Sequence, residues 1–446
     1  MTPRRGQTFA YEAYDLDARR GVLACHYRAD DEAFVETITF SAPDTASVAA
    51  IDAAARLVHL LAGISYYKAT AAPRIDCTRY PLTEAERRLL GAHFRDGLGE
   101  FAYVNDLDLS DIEIDARPSE RRPVVYGPTA KSPLIPFGGG IDSIVTVEGV
   151  RPVGETPRLF VVSRRGDRFD AIEAPAAVTG LPVTRAERQL DPKILRSAEL
   201  GYLNGHVPVT GILSSLAVLA AVSGGHDAVV MSNERSASVG NTVVAGRSVN
   251  HQFSKSLEYE NLLGDVVAET FGGSLGYFSW LRPFSELWVA ERFADLTGYH
   301  RAFRSCNRAF HIDRSIRLDT WCGRCDKCCF IDLVLAPFMG ADDLRKVFGG
   351  DEPLDNPSLK GQFRTLIDAS GSVKPFECVG DTDECRAAAH LAAARPDRAG
   401  APLLAELAAE AEALSAAPMS DLAARLLEPA GTHRIPDAYA RPLRLG

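Results

Sequence analysis

Three consecutive glycines, Gly138–Gly140, followed by Ile141, Asp142 and Ser143, constrain this chain more than any other stretch. An apolar run, Pro133–Phe137, leads into them and a helix-prone run, Ile144–Val147, leads away. That order places a tight turn between a buried strand and a helix. Glycines there let backbone amides approach an anion, and the positive end of the helix adds to the attraction. The Walker pattern needs wider glycine spacing and a terminal Lys-Ser/Thr, so this is a different cradle. Gly138, Gly139, Gly140, Asp142 and Ser143 are the candidate phosphate-binding residues, with an ordinary glycine turn of an α/β sheet as the plainer alternative.

From Ser132 onward the pattern alternates strand and helix, which predicts a parallel sheet with helices on both faces. Strands are expected at Leu134–Phe137, Arg158–Val162, Pro182–Thr184 and Ala228–Met231, and helices at Asp142–Gly149, Lys193–Leu200, Val209–Val222 and Lys255–Thr270. Ligands of such sheets bind at the carboxyl ends of the strands. That rule gathers Gly138–Ser143, Ser163–Arg165 and Ser232–Arg235 into one site. Upstream, Phe9, Tyr11 and Ala13 share one face of a strand, Arg20 and Gly21 turn the chain, and Val22–Tyr27 and Phe34–Phe40 continue a β-meander. An amphipathic helix follows over 46–62, and Thr83–Glu86 has the form of a capping box. The charged, proline-bearing stretch Arg117–Pro128 reads as a linker, which gives an N-terminal α+β domain over 1–125. Beyond Phe330 the chain is helical and finally Ala-rich, available for packing on its own body or against another copy in a homo-oligomer.

A chain of 446 residues exceeds one ordinary core, and 46% hydrophobic with 24% charged residues suits a globular protein. A net charge of −10 argues against a nucleic-acid partner, since phosphate backbones require basic surfaces. Met1–Gly6 has no apolar stretch behind it, so no secretory leader is expected. The longest apolar candidate, Ile212–Val222, is too short to span a bilayer. The expected location is cytoplasmic.

Nine cysteines are present, and reduced thiols are expected in that compartment. Cys322, Cys325 and Cys328, two residues apart in turn, form a knuckle whose sulfurs can converge with Cys306 on one tetrahedral ion. Structural zinc is the preferred metal, because four thiolates leave no open position; an iron–sulfur cluster is the alternative. Cys329 reads as packed core.

Gly138–Ser143 resembles the PP-loop of enzymes that split ATP into AMP and pyrophosphate, with Gly138 standing where that family usually has serine. A PP-loop followed by this cysteine set is similar to 7-cyano-7-deazaguanine synthases, and Leu281–Leu287, entering a helix capped by Ser285, is similar to a late PP-loop element. Other runs depart from that synthase: Ala62–Lys68, Gly205–Thr210, Met231–Ala237, Asn250–Lys255, Ser305–Arg308 and Lys374–Gly380. Together they resemble the MurL family of ATP-dependent UDP-N-acetylmuramoyl-L-alanyl-L-glutamate epimerases, from about residue 55 to about residue 385. The resemblance implies a PP-loop ATP-binding domain with a four-cysteine zinc knuckle at 126–330, followed by a helical C-terminal region at 331–446.

It also implies a reaction. The terminal glutamate of UDP-MurNAc-L-Ala-L-Glu would be adenylated on its α-carboxylate, releasing pyrophosphate, with Mg²⁺ neutralising the phosphates. Adenylation removes the carboxylate charge that otherwise makes the adjacent Cα–H a very weak acid. Deprotonation and reprotonation on the other face then invert the centre, and hydrolysis releases AMP. Asn233, Glu234 and Arg235 would bind substrate, Arg235 by its bidentate fork. Arg164 and Arg165 either border the nucleotide or lie on a surface turn. His251, Lys255 and Glu258 are expected on one helical face. His251, Lys255, Glu377 and Cys378 are the candidates for proton transfer. Tyr66, Tyr67 and Lys68 either close the site or pack in the core. A PP-loop ligase that passes an adenylated carboxylate to an amine is the competing reading. A non-catalytic nucleic-acid module fits the acidic charge poorly.

Overall fold

Ten strands join in one sheet in this computed structural model, which describes residues 5–42, 47–128, 131–153, 155–244, 246–311, 313–368, 376–377 and 379–443. β1 (Thr8–Asp17), β2 (Val22–Ala29) and β3 (Glu32–Phe40) form the expected antiparallel meander. Gly21 makes the first turn at φ 62°, and a Cβ there would lie 2.1 Å from the Phe40 carbonyl oxygen. β4 (Arg74–Asp76) and β5 (Glu113–Asp115) continue outward from β1 in parallel. β6 (Pro133–Pro136), β7 (Arg158–Arg164), β8 (Val183–Gln189), β9 (Ala228–Met231) and, after a short hairpin of β10 (Thr242–Val244) and β11 (Arg247–Val249), β12 (Gly276–Ser279) form the parallel part. The order is β12-β9-β6-β7-β8-β3-β2-β1-β4-β5. The protein is thus α/β, built on a large, mixed, mostly parallel sheet.

Period-2 alternation makes that sheet two-sided. Leu134, Phe160 and Val229 face one core with the helices Val48–Ala62, Val209–Gly224 and Leu257–Phe271. Ile135, Leu159, Val161 and Val230 face the other, with Ile141–Val150, Asp170–Thr179, Glu286–Ala294 and Asp326–Leu335. Where β3 meets β8 antiparallel, Arg188 donates to the fully buried Glu36 from Nε at 2.5 Å and Nη2 at 3.1 Å. Such a bidentate pair fixes register as well as charge.

Thr83 makes the expected capping box, accepting from the Glu86 N–H at 3.3 Å while Glu86 accepts from the Thr83 N–H at 2.9 Å. Two expected helices differ. Lys193–Leu200 is two short turns broken at Arg196, whose φ of −109° and ψ of 25° are not helical. The helix expected from Lys255 begins only at Leu257, because Ser256 is extended and its hydroxyl caps Tyr259 N–H. His251, Lys255 and Glu258 therefore do not share one helical face. Beyond Phe330 the helices Thr382–Ala393, Pro402–Leu414 and Met419–Leu426 pack on one another and on Asp326–Leu335, and the small side chains of Ala387–Ala389 are wholly buried.

Among the described residues one stretch, Val48–Tyr67, is long and apolar enough to cross a membrane, yet 78% of its most apolar window is buried inside the fold. Tyr66 and Tyr67, at its end, are core residues: Tyr66 stacks on Tyr27 and tilts against Phe34, and Tyr67 meets Phe9 and Phe94 edge-on.

His93 links the helices of this core. Its Nε2 donates to the Leu61 carbonyl at 3.1 Å, so Nδ1 accepts from the Tyr259 hydroxyl at 2.8 Å. Burial lowers its pKa from 6.5 to about 4. Between these values the unfolded chain takes up a proton that the folded one refuses, so stability falls as pH drops through that window. His59, pushed down to about 3 by burial, acts in the same direction. His93→Gln is expected to flatten the loss, measured as the difference in urea midpoint between neutral and mildly acid buffer.

Candidate active site

The glycine turn lies where the chain order of the parallel strands reverses, since β6 has β7 on one side and β9 on the other. Strand ends diverge at such a point and leave a crevice. Gly139 has φ 78°, and a Cβ there would stand 2.2 Å from the Ala171 carbonyl oxygen, so only glycine fits. Gly140 is the N-cap of Ile141–Val150, and no side chain caps that helix start. Ser143 Oγ instead donates to the Gly140 carbonyl at 2.9 Å. The first-turn amides and the helix dipole are thereby directed at the crevice, an arrangement suited to an anion.

Three carboxylates converge beside this turn. Asp142 comes from the first helical turn after β6, Glu234 from the segment after β9, and Glu286 from the first turn of the helix after β12. One oxygen of each lies within 4.8 Å of the others. Glu234 and Glu286 are only 2% and 3% exposed, and Asp142 Oδ1 and Glu286 Oε2 are buried without a hydrogen-bond partner. Burial, then the charge of Glu234, pushes the Asp142 carboxyl up to about 6, while Lys327 and Lys255 oppose the shift. Burial and the Asp142 charge raise Glu286 further. Orphaned oxygens on clustered carboxylates fit a hard divalent cation that also takes phosphate oxygens.

Buried groups hold this triad in place. Arg282, 2% exposed, donates from Nε to Glu260 Oε2 at 2.9 Å, from Nη1 to the Glu234 carbonyl at 2.7 Å and from Nη2 to the Lys255 carbonyl at 2.6 Å. One guanidinium thus positions both the Glu234 and Lys255 segments. Glu384, in the capping box of Thr382–Ala393, also accepts from the Glu286 N–H at 2.9 Å. Burial lifts its carboxyl to about 7.

Cys306, Cys322, Cys325 and Cys328 do converge, with Cys325–Cys328 sulfurs 3.4 Å apart and Cys322–Cys328 sulfurs 3.7 Å apart. Sulfurs about 2.3 Å from a tetrahedral ion would be about 3.8 Å apart, so this set could hold a metal in a closed site. Hydrogen bonds from Cys325 and Cys328 push the Cys306 thiol below the usual thiol range. Cys325 is also the N-cap of Asp326–Leu335, which sets Lys327 in the first turn, near the triad. Asn307, next to Cys306, donates to Glu377 Oε1 at 2.8 Å.

A second polar group lies near Glu377. His251 Nδ1 is hydrogen-bonded to Glu100 Oε2, and its ring lies 4.2 Å from that of His206. Glu377 is close enough for His251 to lower its carboxyl, against a larger upward push from burial.

The structure therefore brings Asp142, Glu234 and Lys255 together, and separately His251 with Glu377. Asn233 ties β9 to β12 through its backbone, which exchanges hydrogen bonds with the Ser279 hydroxyl. Arg235 turns toward the next loop, donating to the Pro283 carbonyl at 3.3 Å. Arg165 is exposed and donates to Gln189. Cys378 lies outside the described residues. Sequence reasoning did not single out Glu286, Arg282, Lys327, Glu100 or His206. Glu286 and Arg282 lay inside the quoted Leu281–Leu287 run, Lys327 inside the knuckle and His206 inside Gly205–Thr210, whereas Glu100 carried no signal.

Fold and site define an α/β protein with a glycine-rich strand-to-helix turn that opens beside a carboxylate triad. The model of the MurL N-terminal domain matches residues 1–280 and that of the MurL C-terminal domain residues 302–421. A UDP-N-acetyl-alpha-D-muramoyl-L-alanyl-L-glutamate epimerase of Micromonospora sp. is 38% identical, over 99% of this chain and 98% of its own length. Proteins of the same name from Xanthomonas oryzae pv. oryzae and Salinispora tropica are also 38% identical, over 87% and 91% of this chain and 86% and 89% of their own lengths. The chain belongs to the MurL family, and it is an isomerase.

Proposed function

We propose that the protein inverts the terminal L-glutamate of UDP-MurNAc-L-Ala-L-Glu through an α-carboxyl adenylate, within cytoplasmic synthesis of peptidoglycan precursors. The relatives' names supply the substrate, and one observation carries the mechanism: an uncapped helix start after a glycine turn, beside three clustered carboxylates. In this reading β6 to β12 form a PP-loop nucleotide-binding unit, and the helices beyond Phe330 are a supporting C-terminal region.

Gly138–Gly140 and the first-turn amides of Ile141–Val150 hold the phosphates of ATP while the substrate carboxylate displaces pyrophosphate from the α-phosphorus. Asp142, Glu234 and Glu286 would hold Mg²⁺, which supplies charge neutralisation on the phosphates. Lys255 and Lys327 add positive charge at the same place. Loss of the carboxylate charge makes the Cα proton removable, and the proton carriers are drawn from His251, Lys255, Glu377 and Cys378. Water then cleaves the acyl adenylate to the D-glutamyl product and AMP. Cys306, Cys322, Cys325 and Cys328 would hold a structural zinc ion that keeps Lys327 and Asn307 in register.

Incubation with the muramoyl dipeptide, ATP and Mg²⁺, with no amine present, tests this. AMP, pyrophosphate and D-glutamate after acid hydrolysis are expected. Epimerisation with ATP intact overturns the adenylate, and an amide formed on adding ammonia favours a ligase.

A further inference from the structure

Glu100 comes from a short helix, Gly99–Val104, in the N-terminal third of the chain, His206 from the segment before Val209–Gly224, and His251 from the turn after β11. Their nitrogen and oxygen atoms lie within 4.8 Å of one another. The Glu100 and His251 side chains are each 14% exposed, so both are sheltered from solvent. The site is built rather than incidental. The His251 N–H donates to Asn241 Oδ1 at 2.9 Å, and Asn250 Nδ2 donates to the Ala237 carbonyl at 3.0 Å, which together fix the turn that carries the imidazole. His206 is hydrogen-bonded to the His251 backbone.

A carboxylate on Nδ1 sets the imidazole tautomer. Nδ1 carries the hydrogen, the basic lone pair is on Nε2, and the carboxylate stabilises the imidazolium that forms when Nε2 takes a proton. The neighbouring ring has the opposite tendency: burial first, and then the charge of His251, lower His206 to about 4. Two imidazolium rings whose centres lie 4.2 Å apart repel each other, which disfavours charging both. The charged or titratable groups facing this pair are Glu100, Glu377, Lys255 on the same segment and Lys68, whose Nζ donates to Asn204 Oδ1 at 2.7 Å beside His206.

We propose that Glu100, His251 and His206 act as one proton-transfer unit, with His251 the base on one face of the substrate Cα and Glu100 the residue that positions it. This inference rests on the epimerase reading above. His251 Nε2 takes the Cα proton, and the C–H electron pair moves into the enolate of the activated glutamyl group. A proton from a second acid on the opposite face restores the C–H bond with inverted configuration; the imidazolium then passes its proton through His206 to solvent, and the second acid regains one from solvent.

The test uses the full-length protein with the muramoyl dipeptide, ATP and Mg²⁺ in D₂O, and follows AMP formation and Cα deuteration separately. In His251→Gln, deuteration is expected to slow by about a hundredfold or more while AMP formation persists. In Glu100→Gln, deuteration slows and the acid limb of its pH profile moves to lower pH by about one unit, because the imidazolium has lost its counter-charge. Glu100→Asp is expected to restore part of both. A parallel fall in AMP formation and deuteration, or an unshifted pH profile in Glu100→Gln, overturns the proposal. So does a second equivalent of bound zinc that Glu100→Gln and His206→Gln both remove, since the three residues would then be ligands. If the parent deuterates Cα with ATP intact, the adenylate fails, and the deuteration rates of the variants still decide the role of His251.

Discussion

Asp142→Asn is expected to lower AMP and pyrophosphate formation by a factor of about a hundred to a thousand, with no fall in melting temperature. The two halves of this result have one cause. Three carboxylates with oxygens within 4.8 Å repel one another, two of them carry buried oxygens without partners, and no fold gains stability from that arrangement alone. Asparagine keeps the shape and removes a charge, so the fold is relieved. A divalent cation held by the triad in the proposed reading would lose a ligand in the same helical turn as the anion cradle. Initial rates of AMP release, set beside thermal melts in metal-free buffer, check both halves. A variant that loses stability along with activity would point to a structural triad.

Cys325→Ser is expected to act in the opposite way, through the frame. Bound zinc should fall from one equivalent per chain to well below it, and stability should drop by ~3 kcal/mol or more, since a closed thiolate site contributes folding energy directly. Cys325 is the helix N-cap and, in the proposed reading, also a metal ligand, so its loss would unseat the start of Asp326–Leu335. Lys327 leaves the neighbourhood of the triad, and the Asn307–Glu377 hydrogen bond loosens with the Cys306 side of the knuckle. Metal analysis, denaturant melts and AMP release in the same preparation provide the check. Absence of visible absorbance in the parent separates zinc from an iron–sulfur cluster. A variant that keeps its stability and its metal would remove the knuckle from the structural account.

Local chemistry was readable, as was the convergence that a spacing or the strand-end rule implies, such as the four cysteines and Asp142 with Glu234. Partners joined by tertiary packing alone were not. The glycine turn, the β6 to β9 strands, the Thr83 capping box and the cysteine set are each written within a few neighbouring residues or in a repeated spacing. β12, Gly276–Ser279, opens on a glycine and ends on a serine, so it lacks the apolar run that marks the equally short β6 and β9. Glu286 follows a serine cap, so in sequence it looks like any acidic residue at a helix start, and only the fold sets it against Asp142 and Glu234. Glu100 and His251 are separated by 151 positions and meet through tertiary packing alone. The helix drawn through Lys255 failed on one residue, Ser256, whose preference for capping outweighed the run of helix formers on either side.

The junction of β3 with β8 bears on how the proposed sugar-nucleotide substrate would reach the crevice. With Glu36 and Arg188 sealed in that seam, the meander and the parallel strands make one continuous plate, so they cannot part in clamshell fashion. In the proposed reading, admission and release of the substrate would be governed at the lip of the crevice, above an unyielding floor.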